Sequence, residues 1–319
     1  MKKIVLLVVA LMLSMTSCKR DNIEDVYTDF IDSINNCTAY EFDGEMEVKH
    51  NEESDVFQIN VLYKAPSLYR VAYQNNESNS RQVLLKNNEG VYVLCPELNK
   101  EFKFESAWPL NSSHIYIVNK VIEDFTSDSS HEMTETDEDY VFKSKINHHI
   151  KKSLNNQRVY INKSTKELSK ITYNCDDTAQ MILKIKNFKL NPTISNSEFA
   201  LDQIMKQETS LIGEGKITDC KQISFNNPFD LEVATNDNEE ITIVSFKGDK
   251  NYTIVYQGIT DSLLTTSRIY DEFVMLDDSL GFVSSSSLTF YKNNYEFKII
   301  SGTLSLEEMI EVANSIVIA

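Results

Sequence analysis

The feature that most restricts this chain is a hydrophobic period of two that recurs from residue 40 to residue 104. Phe57, Ile59, Val61 and Tyr63 share one parity, as do Tyr40, Phe42, Met46 and Val48. Side chains alternate across a strand, so each set lines one face of a sheet. Residues 68–73, 83–85, 91–94 and 102–104 continue the series, divided by polar turns at 50–54, Pro66, 75–80 and 87–90. Short strands joined by short polar turns predict an antiparallel meander. A second series occupies 140–146, 157–161, 168–173 and 181–188, and Pro192 and Phe199 close it.

Helical spacing replaces this period in three places. Ile23, Val26, Tyr27, Phe30, Ile34 and Cys37 line one face of a predicted helix within 21–40, with Asp21 and Glu24 as a capping arrangement. Residues 115–125 place Val118, Val121, Ile122 and Phe125 on one side. Ser305 and Glu308 form a capping box before a last helix with Leu306, Met309, Ile310, Ala313 and Ile316 on its apolar face. The polar, acidic stretch 126–139 is predicted to be an exposed loop, and 206–222, with Gly213 and Gly215, a connection. Strands at 241–246, 252–256, 288–291 and 297–300 then predict a smaller α+β unit.

The first residues carry an address. Lys2 and Lys3 precede an unbroken apolar run over 4–13, and Met15-Thr16-Ser17 leads into Cys18. That is the layout of a secretory signal, with an apolar core too short to span a bilayer. A cysteine directly after the small residues predicts a bacterial lipoprotein, with Cys18 acylated and first in the mature chain. Met15 stands where such signals usually carry Leu. The expected organisation is a signal peptide at 1–17, a main domain at 18–205, the connection at 206–222 and a C-terminal domain at 223–319.

Charge narrows the partners. The formal charge is −17 and becomes −19 on loss of 1–17, because Lys2 and Lys3 leave and no acid does. Such a surface argues against nucleic acid and against adhesion to anionic headgroups. The membrane link is therefore expected to be the lipid on Cys18, which holds stably when it carries more than one chain. Cys37, Cys95, Cys175 and Cys220 are widely spaced with no CxxC, so a zinc site is not expected. An exported chain could pair them, but small buried thiols are the favoured expectation.

Catalytic patterns are missing from the sequence. No HExxH, G-x-S-x-G, P-loop or G-x-G-x-x-G occurs. His148 and His149 are adjacent, so in a strand they face opposite ways. Asp137-Glu138-Asp139 lacks the spacing of a calcium loop. The chain is therefore expected to be no enzyme and to hold no metal or cofactor. Its 15 tyrosines and 16 phenylalanines either fill the core or line a cavity for acyl chains or a partner's side chains; core filling is favoured, since alternating strands bury one face. Trp108 is the only tryptophan, and Trp108, Pro109 and Tyr116 form the candidate interaction segment. A core plug beneath the helix is the favoured alternative for Trp108.

The order of elements resembles the lipoprotein-carrier fold of LolA, LolB and RseB, a half-open antiparallel β-barrel wrapped around helices. Tyr63-Lys64-Ala65-Pro66 with Leu68-Tyr69-Arg70 resembles the second-to-third strand hairpin of that fold, and 91–99 its strand-and-proline step. Residues 108–116 are similar to a segment of the germination lipoprotein GerS and its relatives, and the resemblance spans about 20–205. The ending at 304–310 is similar to a small α+β domain of unknown function appended to some such lipoproteins. The resemblance implies a non-catalytic protein anchored outside the cell membrane of a spore former. It implies support of a peptidoglycan amidase of the spore cortex, and so of germination. Binding of a lipid or lipoprotein in the half-barrel, or stress sensing of the RseB kind, are the alternatives it leaves open.

Overall fold

The computed structural model describes residues 22–50, 53–75, 81–95, 100–104, 108–109, 114–148, 151–211, 223–237, 241–258, 272–292 and 295–318. The signal segment, Cys18, Cys220, Gly213 and Gly215 lie outside these.

Helix α1 (Ile23–Asn35) opens the described chain. Its cap is Asn22, whose Oδ1 accepts the Glu24 N–H at 3.2 Å, and Glu24 and Asp25 sit favourably in the first turn. Eleven strands follow: β1 (Ala39–His50), β2 (Glu53–Lys64), β3 (Leu68–Asn75), β4 (Arg81–Asn87), β5 (Gly90–Cys95), β6 (Lys100–Phe104), β7 (Glu132–Glu135), β8 (Asp139–Lys145), β9 (Asn156–Asn162), β10 (Leu168–Cys175) and β11 (Thr178–Leu190). Helix α2 (Val118–Ser127) stands between the two runs.

These strands form one antiparallel sheet in the order β6-β5-β4-β3-β2-β1-β11-β10-β9-β8-β7. The two meanders are joined where β1 pairs with β11, Met46 opposite Leu183 and Val48 opposite Met181. Gly44 belongs to this junction, since a Cβ there would lie 3.0 Å from the Lys184 carbonyl oxygen. On the outer face Glu45 meets Lys184 at 3.0 Å and Glu41 meets Lys189 at 2.6 Å. Exposed pairs of this kind add little stability in water but favour one register. Strands β6 and β7 end the order unpaired with each other, so the sheet is open, as the half-open barrel expectation requires.

The inner face carries the alternating residues that the sequence singled out. Tyr40, Phe42, Met46, Phe57, Ile59, Val61 and Val71 are buried there. They pack with α1 and α2 in one cluster, in which Val118, Val121, Ile122 and Phe125 supply the face of α2. Tyr27 of α1 meets Phe125 at 4.8 Å and Phe142 at 5.5 Å between ring centroids. The outer face of β2–β5 is covered too. Helix α3 (Leu201–Leu211), entered through a 3-10 turn at Asn196–Phe199, lays Ile204 against Leu62, Ala72, Val83, Leu85 and Leu94. This helix runs into the stretch expected to be a connection.

Within the expected loop 126–139 the structure instead has β7. Its four residues EMTE are exposed apart from partly buried Met133, so the stretch shows no apolar period. An edge strand with one partner needs none. Asp128 ties this corner together. Its carboxylate accepts the N–H of Lys145 at 2.8 Å and the N–H and Oγ of Ser130 at 2.9 and 2.7 Å. The Lys145 N–H, then the Ser130 donors, hold its pKa at about 2. The folded value lies below the unfolded one, so the contribution is full above about pH 4 and fades as pH falls from about 4 to 2. Solvent screening keeps it small. Asp128→Asn should melt below the wild type at pH 7 and converge with it near pH 2. Melting curves across that range check this; a pH-independent gap would refute it.

The C-terminal region holds β12 (Ile223–Phe225), β13 (Glu232–Asp237), β14 (Ile241–Lys247), β15 (Tyr252–Gly258), β16 (Glu272–Met275), β17 (Leu280–Ser284), β18 (Ser287–Lys292), β19 (Tyr295–Ile300), helix α4 (Leu306–Asn314) and β20 (Ile316–Ile318). Seven of the strands order as β13-β14-β15-β19-β18-β17-β16, and β12 pairs with β20. The capping box of α4 is present in full: Ser305 Oγ accepts the Glu308 N–H at 3.2 Å and Glu308 Oε2 accepts the Ser305 N–H at 2.9 Å. Met309, Ile310, Val312 and Ala313 pack on Phe246, Ile254, Phe297 and Ile299 of the sheet.

Candidate functional site

The two sheets meet in an aromatic seam. Along β17 and β18, Phe282 and Tyr291 face the first sheet's core, while Leu288 and Phe290 face α4. Phe102 stacks on Tyr291 at 4.9 Å, and Phe104 meets Phe282 at 5.2 Å. Trp108 lies between the sheets, 5.9 Å from Tyr69 of β3 and 5.9 Å from Phe273 of β16. His114 stacks between Tyr116 at 5.1 Å and Phe273 at 5.2 Å. The three candidate residues are therefore interior: Trp108 is 2% exposed, Tyr116 1%, and Pro109 is buried. In this arrangement Trp108 joins one sheet to the other, and none of the three faces solvent.

Behind the seam, polar side chains pin α2 into the half-barrel. Tyr40 and Tyr69, from β1 and β3, both donate to Asn119 Oδ1, at 3.0 and 2.9 Å. Gln157 of β9 donates through Nε2 to the Val121 carbonyl at 2.7 Å and to Ser144 Oγ at 2.9 Å. Three buried atoms in this region have no hydrogen-bond partner among the described residues: Tyr116 Oη, Tyr173 Oη and Gln157 Oε1. Gln157 and Tyr173 are register partners on neighbouring strands. Burial, then the proximity of Tyr173 for Tyr116 and of Asp124 for Tyr173, pushes both phenols far above the ordinary tyrosine value, so they stay neutral and act as hydrogen-bonding groups.

Next to these phenols, a crevice opens between the sheets. Val48, Phe57, Met181, Val274, Met275, Leu276 and Ile310 give it apolar walls, and His114, His148 and Lys151 line it as well. The Lys151 backbone N–H donates to His148 Nδ1 at 3.1 Å, which places the proton of the neutral ring on Nε2. The His148 ring meets Tyr173 edge-on at 6.1 Å. Burial lowers the Lys151 pKa, opposed by Asp277, Glu307 and Asp55 in that order. Sequence reasoning passed over Lys151, which sits in the polar run His148-His149-Ile150-Lys151-Lys152 with no periodicity to mark it. It also missed Phe273 and Phe282. The apolar runs 272–275 and 280–284 around Asp277-Asp278 are a readable hairpin signal.

A second, more polar cleft of about 430 Å³ lies beside the start of α1. Asp25, Asp29, Ser33, Lys166 and Glu167 share its lining with Phe30, Leu168 and Phe188. Cys37 is a buried free thiol, Cys95 is buried, and Cys175 is half-buried and free. Among the described residues no three His, Cys, Asp or Glu side chains gather closely enough to hold a metal. No helix among them is long and apolar enough to cross a membrane.

No family model matches the chain. Among solved structures, the Pseudomonas aeruginosa MucA/MucB complex aligns with 93% of this chain and 99% of the matched chain, at 10% identity and a TM-score of 0.33. The CwlD amidase of Clostridioides difficile in complex with the GerS lipoprotein aligns with 55% of this chain and 99% of the matched chain, at 18% identity and a TM-score of 0.24. Among curated proteins the similarity extends along nearly the whole length: the chain is homologous to sporulation protein YdcC of Bacillus subtilis (strain 168), 28% identical over 331 residues that cover 98% of this chain and 96% of that protein.

Proposed function

We propose that this chain is a non-catalytic lipoprotein, anchored by Cys18 to the outer face of the bacterial cell membrane, that binds and supports a cell-envelope enzyme during sporulation or germination. The partner class that fits is a peptidoglycan amidase of the spore cortex. The observation that carries the reading is full-length similarity to a sporulation protein, with both the main sheet and the C-terminal sheet inside the matched span. The interior supports it. The concave face that could receive an acyl chain is filled by the chain's own rings and by α2, which favours a protein partner over a lipid in the half-barrel. The acidic surface supports a lipid tether, since electrostatics would repel anionic headgroups.

Two measurements test this. Labelled palmitate should enter the wild-type chain, and Cys18→Ala should abolish the label and release the protein from membranes. The full-length chain, purified in mild detergent from a sporulating host, should bring down an envelope amidase. Recovery of no envelope protein, or hydrolysis of muropeptides by the chain alone, would overturn the reading.

A further inference from the structure

The crevice between the sheets has an unusual combination of walls. Its floor is apolar, formed by Phe57, Met181, Val274 and Ile310, yet Lys151 reaches into it. Among the described residues no carboxylate lies within ion-pair distance of the Lys151 ammonium. Asp277, Glu307 and Asp55 act on it only from a distance, and Asp277 is engaged by Asn314 Nδ2 at 2.5 Å. A partly buried cation without a close counter-ion is costly, and an anion that arrives with its own apolar flank removes that cost. On the wall, His114 stacks on Tyr116 and His148 meets Tyr173 edge-on; the buried hydroxyls of these two tyrosines have no partner among the described residues. The wall behind Lys151 is thus polar, while the floor in front is greasy.

Size selects the occupant. The cavity is about 50 Å³, room for about three to five water-sized groups. That matches the end of one acidic side chain and is far too small for an acyl chain of lipid length. The opening lies between β16 and α4 of one sheet and β1 and β2 of the other, so whatever enters would touch both sheets at once.

We propose that this crevice is the docking point for the envelope partner, receiving one acidic side chain flanked by apolar residues, with Lys151 as its counter-ion. The proposal rests on the partner-binding reading above and supplies its chemistry. The crevice is lined from both sheets, so it exists only while β16 stays against the first sheet, into whose core Phe273 packs.

The test uses full-length protein in detergent and two peptide probes, acetyl-Leu-Glu-Leu-amide and its Gln counterpart. The Glu peptide should bind at least tenfold more tightly than the Gln peptide, and Lys151→Met should erase the difference. Methionine keeps an apolar stem of similar length, so Lys151→Met should fold with an unchanged or raised melting temperature. Equal binding of the two peptides, binding of neither, or a preference that survives Lys151→Met would overturn the proposal. So would tight, Lys151-dependent binding of laurate that displaces the Glu peptide, because the site would then be a lipid carboxylate site. In the same preparation, partner recovery should fall at least tenfold in Lys151→Met. If the wild type recovers a partner and Lys151→Met recovers it equally, the crevice proposal fails and the partner-binding reading stands. If the wild type recovers none, that reading fails, and the peptide preference still decides the crevice.

Discussion

Trp108→Ala is expected to lower the stability of the folded protein by about 3–5 kcal/mol, the range for removing a large buried aromatic. The indole is 2% exposed and lies between Tyr69 of β3 and Phe273 of β16, so the cavity left behind opens into the cores of both sheets. The β3 backbone cannot collapse into it freely, because β2 and β4 hold it on either side, and β16 is fixed on one side by β17. Guanidinium unfolding followed by circular dichroism gives the number, and a loss under 1 kcal/mol would refute the role of a plug. The location predicts a second signature. The wild type should unfold with the two sheets coupled, and Trp108→Ala should broaden or split the transition as the seam loosens. Trp108→Phe should recover much of the loss. A variant that folds normally yet no longer binds its partner would instead make the indole a contact residue, against its burial.

How much of this was legible beforehand follows from what each residue contacts. Phe57, Ile59, Val61 and Tyr63 could be placed on one face because a strand's period is a local property, and all four are buried on the inner face. Ser305 and Glu308 likewise announce their helix through a contact three residues long. The pairing of β1 with β11 brings together residues more than 130 apart in the chain, Met46 and Leu183 among them, and no period in either strand encodes its neighbour. Helix α3 escaped because its buried contribution is short, with Ile204 buried and Leu201 and Met205 only partly so. Trp108 was conspicuous as a lone tryptophan, but its partner Phe273 belongs to the other sheet, so its position in a seam could not be read from residues 108–116. Lys151 shows the limit most clearly. Its interest comes from desolvation by groups that converge from β1, β2, β11, β16 and α4, and nothing in its own neighbourhood of the sequence reports them.

Asn119→Ala is expected to cost about 1–3 kcal/mol, out of proportion to the few atoms removed. Asn119 Oδ1 accepts both the Tyr40 hydroxyl at 3.0 Å and the Tyr69 hydroxyl at 2.9 Å. The substitution removes the acceptor that two phenols share; their hydroxyls lie close enough for one to donate to the other, so one buried donor is orphaned, at a cost of about 1–3 kcal/mol. Tyr40 and Tyr69 are 0% and 5% exposed, so bulk water does not readily replace the lost acceptor. Ionisation offers no escape either, since burial already pushes both phenols well above the ordinary tyrosine value. Removing all three polar groups together should be far milder. Tyr40→Phe with Tyr69→Phe and Asn119→Leu leaves no donor unmet, and replacing both sides of a buried hydrogen bond by apolar groups can be nearly neutral. The triple variant should therefore be more stable than Asn119→Ala alone, although it changes more residues. That inversion separates stranded polar groups from lost packing, because a packing defect would grow with each substitution. Unfolding free energies for the single and triple variants decide it. A cost below 0.5 kcal/mol for Asn119→Ala, or a triple variant less stable than the single, would show that α2 is held in the half-barrel by its apolar face alone, through Val118, Val121, Ile122 and Phe125.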